Sequence, residues 1–320
     1  MRHAVTDQIR AEVAAFRQHS DRPLNLNFFC HAAPEPDPAG LAAWQRRLAP
    51  YCTEQSLDPD APLPLSNRAP FDATLCALVE EVRPEVASFH FGLPDVALLA
   101  RVKATGAKIL SSATTIAEAR WLEAEGVDAI IAQGAEAGGH RGMFLTGDVA
   151  TQIGTLSLVP QIVDAVRCPV IAAGGIADGR GIAAAFMLGA SAVQIGTAYL
   201  FCPEATISQP HRQALADGNT RETALTTVFT GRPARSVVNR AMRELGCLAP
   251  DAPAFPLAAA AMAPLRAATE PQGSGDFMPL WSGQSAGLGQ SMTAQALTEK
   301  LAEAAAGLLA CQSVETDAIT

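Results

Sequence analysis

Between residues 5 and 200, short apolar runs that end in Gly, Ser, Thr or Asn alternate with segments whose apolar residues recur at helical spacing. This rhythm constrains the fold more than any other feature of the chain. Strands separated by helices pair side by side as a parallel sheet with helices over its faces. The runs "RPLNLNFF", "VASFHFG", "KILSSAT", "AIIAQG", "PVIAAGG" and "AVQIGT" read as six strands. Their near-continuous apolar character is what a sheet covered on both faces requires. Between them lie helical patterns such as "DVALLARVKATG", "TIAEARWLEAEG", "LSLVPQIVDAVR" and "ADGRGIAAAFMLGA". An opening helix, "TDQIRAEVAAFRQHS", carries Ile9, Val13 and Phe16 on one stripe, with Thr6 as its expected N-cap.

After "GTAYLFCPEA" the rhythm changes. Residues 203–280 are rich in Pro and Ala, with short helical patterns, and read as a small helical subdomain following a first domain of residues 1–202. Residues 281–310 read as a return segment and a final amphipathic helix that packs back on the first domain, and residues 311–320 as a frayed tail.

Composition narrows the partners. The net charge of -9, with no Lys/Arg cluster longer than a pair, argues against nucleic acid and against an anionic membrane surface. No stretch reaches the roughly 18 apolar residues of a membrane span, and the N-terminus is an amphipathic helix pattern rather than a signal peptide. The seven cysteines are scattered, without a C-x-x-C pair or a His at metal-ligand spacing, so they read as small core residues of a reducing compartment and no metal is expected. The expectation is a cytoplasmic protein that acts on small molecules.

Two glycine-bearing strand ends carry most of the chemical information. "PVIAAGGIADGRG" ends a strand at Gly174-Gly175 and opens a helix; "AVQIGTAYL" does the same at Gly196-Thr197 one βα unit later. Glycines alone serve tight turns and close packing. Two adjacent strand ends stripped of side chains also present backbone N–H groups to an anion, which points to a phosphate-bearing ligand. A third segment, "AQGAEAGGHRGMF", sets His140 behind Gly138 and Gly139. It reads either as a histidine satisfied inside a turn or as a proton-transfer group in a site cleared of side chains.

The runs "AQGAEAGGHRG", "SLVPQIVDAVRCPVIAAGGIADGRGIAAAFMLGASAVQIGT" and "LWSGQSAGLG" resemble the nitronate monooxygenases, FMN-dependent (β/α)8 barrel enzymes, over about residues 6–305. The "EAGGH" core is shared with flavin-dependent enoyl-acyl-carrier-protein reductases and a quinone reductase group. Those relatives more often carry Glu where Gln133 stands, which favours the monooxygenase branch. The resemblance implies FMN contacts from Asn27, Gln133, Gly138, Gly174, Gly175, Gln194, Ile195, Gly196 and Thr197. Asn and Gln amides suit the donor and acceptor edge of the ring system, and the glycine turns suit the 5'-phosphate, which would meet a helix N-terminus in place of a lysine.

His140 matches the family's catalytic histidine. The implied reaction is oxidation of an alkyl nitronate, of the propionate 3-nitronate kind, by O2 to a carbonyl compound and nitrite. Ser88, His90, Trp281, Ser282 and Gln284 are expected on the substrate side, although alternation along a strand turns only one of its faces inward. Glu136 reads as a structural partner of the His140 loop, and His3, His19, His31 and His211 as surface or packing residues. The alternatives are an NAD(P)H-dependent flavin reductase and a non-catalytic flavin-binding remnant.

Members of the family begin with a strand resembling "PIIQAPM", a helix and a second Gly-rich strand, a length of roughly 40 residues at barrel spacing. The expected architecture is therefore a TIM-type (β/α)8 barrel lacking its first two strands. A start codon assigned too late is one reading, and a remnant or partner-dependent chain the other. The chain as given is expected to retain FMN poorly and to aggregate, since open sheet edges are a liability.

Overall fold

The computed structural model describes residues 2–35, 37–64, 69–217 and 222–317, with side chains from Val5 to Cys311. The six expected strands form: β1 (Asn25–Phe29), β2 (Val86–His90), β3 (Lys108–Ala113), β4 (Ala129–Gln133), β6 (Val170–Ala173) and β7 (Ala192–Gln194). They make one all-parallel sheet in the order β1-β2-β3-β4-β6-β7. The register sets Asn27 beside Ser88 and Phe29 beside His90, and Ala173 beside Gln194. The C-terminal ends of the strands therefore share one edge, where ligands of parallel sheets bind.

Helices α1 (Arg2–His19), α3 (Ala73–Val82), α4 (Val96–Ala104), α5 (Ile116–Ala124), α6 (Thr155–Ala165) and α7 (Gly179–Met187) connect or flank these strands. Asp72, Asp95, Thr115 and Asp178 cap four of them by accepting first-turn N–H groups. Phe89, Ile109, Leu122, Ile130, Leu158 and Ile162 form the centre of the first core, each fully buried. The final helix α11 (Ala294–Asp317) adds Leu297, Leu301 and Ala305 to that core against α7. At Gly179 an added Cβ would stand 2.5 Å from the Ala304 Cβ, so the crossing of α7 and α11 depends on glycine.

Several elements differ from expectation. α1 begins at Arg2, so Thr6 is not its N-cap but a buried residue inside it, because nothing in the preceding residues interrupts the helix. α11 continues through the expected tail to Asp317; residues 318–320 lie outside the described residues, as does the side chain of His3.

The region after residue 202 contains helices α8 (Gln209–Ala216), α9 (Arg240–Leu245) and α10 (Leu257–Thr269), but also a hairpin of β8 (Thr223–Thr226) and β9 (Ala234–Val237). The hairpin pairs antiparallel with the two-residue β5 (Gly139–His140), placing Gly139 opposite Arg235 and His140 opposite Ala234. A second core lies here. Helix α2 (Pro38–Glu54), inserted after β1, contributes Trp44, Leu48 and Cys52 to it, packed with Val228, Phe229, Met242, Met262, Leu265 and Phe277. Residues 38–54 therefore pack with the later region and not with the sheet that encloses them in sequence.

Among the described residues no helix is long and apolar enough to cross a membrane. No cluster of three or more His, Cys, Asp or Glu among them could hold a metal ion. The seven cysteines are free thiols.

Candidate active site

A cavity of about 590 Å³ opens at the C-terminal edge of the parallel sheet, within the roughly 300–1,000 Å³ of small-molecule sites. Its floor is the strand ends: Asn27 of β1, Ser88 and His90 of β2, Gln133 of β4, Gly174 and Gly175 after β6, and Gln194, Gly196 and Thr197 at and after β7. Its other wall is Gly138, Gly139 and His140 with Trp281, Gly283 and Ser285 from the return segment. Elements distant in sequence thus bring together twelve of the fifteen residues named from the sequence.

Ile195, Ser282 and Gln284 are the exceptions. Side chains alternate along extended backbone. Gln194 faces the cavity and Ile195 packs on the first core; Trp281, Gly283 and Ser285 face it, while Ser282 is fully buried and Gln284 is exposed. The backbone N–H of Gln284 donates to the Glu136 carbonyl (3.0 Å), which ties the return segment to the His140 loop.

His140 is held at its backbone and its ring. Its carbonyl accepts from Gln133 Nε2 (3.0 Å) and His90 Nε2 (3.2 Å). Gln133 Oε1 accepts from the Gly142 N–H (2.7 Å), which fixes the amide's orientation and sets Gln133 to bracing this turn. His90 Nε2 faces an acceptor, so it carries the proton, and Nδ1 accepts from Ser112 Oγ (3.0 Å). Burial holds His90 neutral, with its pKa pushed down to about 4.

The ring of His140 packs against Phe29, Phe91, Phe255 and Trp281, with centroids 5.3–6.0 Å away. Its Nε2 lies 3.0 Å from Thr230 Oγ1, which donates to the Arg232 carbonyl at 3.3 Å. With that hydroxyl proton engaged, His140 Nε2–H is the donor to Thr230. Thr230, Phe91 and Phe255 had escaped the sequence reading, as had Ser285, whose hydroxyl donates to the Gly175 carbonyl at 2.7 Å.

The rest of the loop is braced from behind. Glu136 accepts the Thr155 N–H (2.8 Å) and hydroxyl (2.8 Å) at the start of α6, a structural role. Arg141 is fully buried and donates to the Gln133 carbonyl (2.7 Å), the Gly134 carbonyl (2.8 Å) and Gln152 Oε1 (2.8 Å). Burial lowers its pKa to about 10. Glu118, fully buried, gathers Thr114 and the N–H groups of Phe144 (2.6 Å) and Leu145 (3.2 Å).

The glycine turns have the expected openness with a different donor set. Asp178 already accepts the Arg180 and Gly181 N–H groups, so the start of α7 is capped by the protein's own carboxylate. Among the described residues the N–H groups of Gly175, Ile176 and Gly196 have no acceptor. They belong to the two turns that precede the helical segments. Gly174 and Gly175 have φ of +107° and +72°, a region side chains avoid. At Gly139 and Gly196 an added Cβ would meet nothing within 4 Å and would stand in open space at the cavity wall.

A profile of the nitronate monooxygenase family matches residues 3–304. The chain is 42% identical over 300 residues to a nitronate monooxygenase of Pseudomonas aeruginosa, covering 92% of this chain and 84% of that protein. It is 40% identical over 298 residues to one of Paraburkholderia phytofirmans, covering 92% and 81%. Among solved structures, a nitroalkane oxidase from Streptomyces ansochromogenes superimposes with a TM-score of 0.86 at 39% identity, over 94% of this chain and 86% of that one. FabK from Thermotoga maritima gives 0.70 at 25% identity, over 97% and 84%.

Sheet, strand-end site and relatives together define a flavin-dependent oxidoreductase built on a TIM-barrel-like α/β fold. More narrowly, the chain belongs to the nitronate monooxygenase family.

Proposed function

We propose that this enzyme binds FMN in the strand-end cavity and oxidises small alkyl nitronates with O2, releasing a carbonyl compound and nitrite. The observation that carries the reading is His140: a titratable ring at the cavity wall, enclosed by four aromatic rings and fixed at its carbonyl and at Nε2. In this reading the sheet is the larger part of a (β/α)8 barrel whose first two strands are not in the sequence given, and the enzyme works in the cytoplasm.

The residues fit FMN. Unengaged N–H groups at Gly175, Ile176 and Gly196 suit a phosphate, and the open surface at Gly139 admits a flat ring, while Gly138 lets the return segment pack close behind it. Asn27, Gln194 and Thr197 offer further polar contacts. When bound, the flavin supplies the two-electron acceptor and the route to O2.

The chain's own residues do the rest. Thr230 fixes the His140 ring through Nε2, and the ring accepts the proton from the carbon next to a nitro group or, once protonated, pairs with the nitronate. Gln133 and His90 keep the His140 carbonyl turned away from the substrate. Trp281 and Phe29 line the cavity beside His140 and give the alkyl group an apolar wall from which water is excluded.

The test is nitrite release from ethylnitronate or propionate 3-nitronate by FMN-loaded protein. His140→Asn is expected to lower kcat/KM by about 100-fold or more, the scale of a lost acid–base group. Rapid anaerobic bleaching of the flavin by NADH, without nitrite release, would replace this reading with the reductase alternative.

A further inference from the structure

The cavity wall carries no Lys, Arg, Asp or Glu among the described residues, yet the substrate of the proposed reaction is an anion. One cation stacks directly on a ring that packs against His140: Arg232. Its guanidinium carbon lies 3.9 Å from the centroid of the Phe91 ring, and the Phe91 ring packs edge to face with His140 at 5.9 Å. The charge is thus one aromatic ring behind the side chain that faces the substrate.

Arg232 differs from the arginines of the surface. Arg10, Arg17, Arg101 and Arg240 each bond a carboxylate in partly exposed pairs, where the charge is neutralised and screened. Arg232 Nη2 instead donates to the Met143 carbonyl. Its Nε is buried with no acceptor among the described residues, and no carboxylate pairs with it there. Burial pushes its pKa down, which is the sign of a charge kept at a cost. The ring it rests on is also held at a cost, because Phe91 is a non-glycine residue at φ +72°. An orphaned Nε, a buried charge that Glu118 offsets only at a distance and a strained partner residue gain no hydrogen-bonded ion pair among the described residues.

We infer that Arg232 is a specificity-determining residue, whose charge, standing behind Phe91, makes the cavity favour anionic nitronates over neutral molecules of the same size. This rests on the nitronate reading above. A unit charge on the order of 10 Å away, at an effective dielectric of about 20, changes the affinity of a monoanion about tenfold and leaves a neutral ligand nearly untouched.

The experiment uses FMN-loaded protein and two unreactive probes of the cavity, nitrate as monoanion and acetone as neutral ligand, read by perturbation of the flavin absorbance and by inhibition of ethylnitronate turnover. Arg232→Gln removes the charge and keeps a hydrogen-bond donor. It is expected to weaken nitrate about tenfold and to raise KM for ethylnitronate in step, with acetone binding changed less than about twofold; Arg232→Lys restores most of the nitrate affinity. Equal weakening of nitrate and acetone would make Arg232 a structural brace, and unchanged nitrate affinity would overturn the inference outright. Nitrate binding needs no turnover. If ethylnitronate yields no nitrite while Arg232→Gln still loses nitrate, the nitronate reading fails and Arg232 is left as the source of a preference for monoanions in general.

Discussion

At the scale of single residues, the site shows which chemistry a sequence can disclose. His140, Gly138 and the glycines at 174, 175 and 196 stand in contiguous motifs, so local spacing was enough to single them out as a group that lines one cavity. Thr230, Phe91 and Phe255 reach His140 from separate segments with no local signal, and only the folded chain makes them neighbours. Gln133 reads from sequence as a flavin contact, but both ends of its amide are engaged by the His140 turn.

His90 yields a pH prediction. Its pKa falls from the ordinary 6.5 to about 4 in the folded state, so the unfolded chain binds the extra proton between those values. The stability it contributes is complete above about pH 6.5 and is lost as pH falls towards 4, to a limit of about 3 kcal/mol. Urea midpoints at pH 7 and pH 4.5 are expected to differ less in His90→Gln than in the parent protein. An equal pH dependence in both would show that His90 is not the group responsible.

At the scale of elements, strands buried on both faces announce themselves, and the apolar runs found all six strands of the parallel sheet. The hairpin of β8 and β9 did not, because each strand is four residues long and lies between Pro- and Ala-rich helices. The Gly231-Arg232-Pro233 turn between β-branched residues was its available signal. β5 has two residues and exists as a strand only through its partner. α2 was missed because helical periodicity says nothing about which core the apolar stripe will join. Trp44, fully buried on α2, gives the test: Trp44→Ala is expected to cost about 3–5 kcal/mol. A loss of unfolding free energy of less than about 1 kcal/mol would mean that α2 does not anchor the second core.

At the scale of the whole molecule, the cavity lies where the two cores meet. Gly174, Gly175 and Gly196 come from the sheet, while Trp281 packs on the second core, and His140 is paired to a strand of the later hairpin. A ligand seated between them stabilises both. Under the proposed function, FMN at about 100 times its Kd would add roughly 2.7 kcal/mol to the folded state. Amide hydrogen exchange is therefore expected to slow in α10 as well as in β3 when FMN is added. Protection confined to the parallel sheet would count against a site shared by the two cores.

The pairing of His140 with β9 has a consequence for how such an enzyme can change. The glycine turns suited to a phosphate follow the strands of one sheet, while His140, the proposed proton-transfer residue, is stitched to another together with Gly139. Substitutions or length changes in the 227–233 turn can therefore reshape which molecules are accepted without disturbing the turns suited to a phosphate. Selection can act on the two halves of the chemistry separately, and the turn is the place to begin when redirecting the catalyst to new nitro compounds.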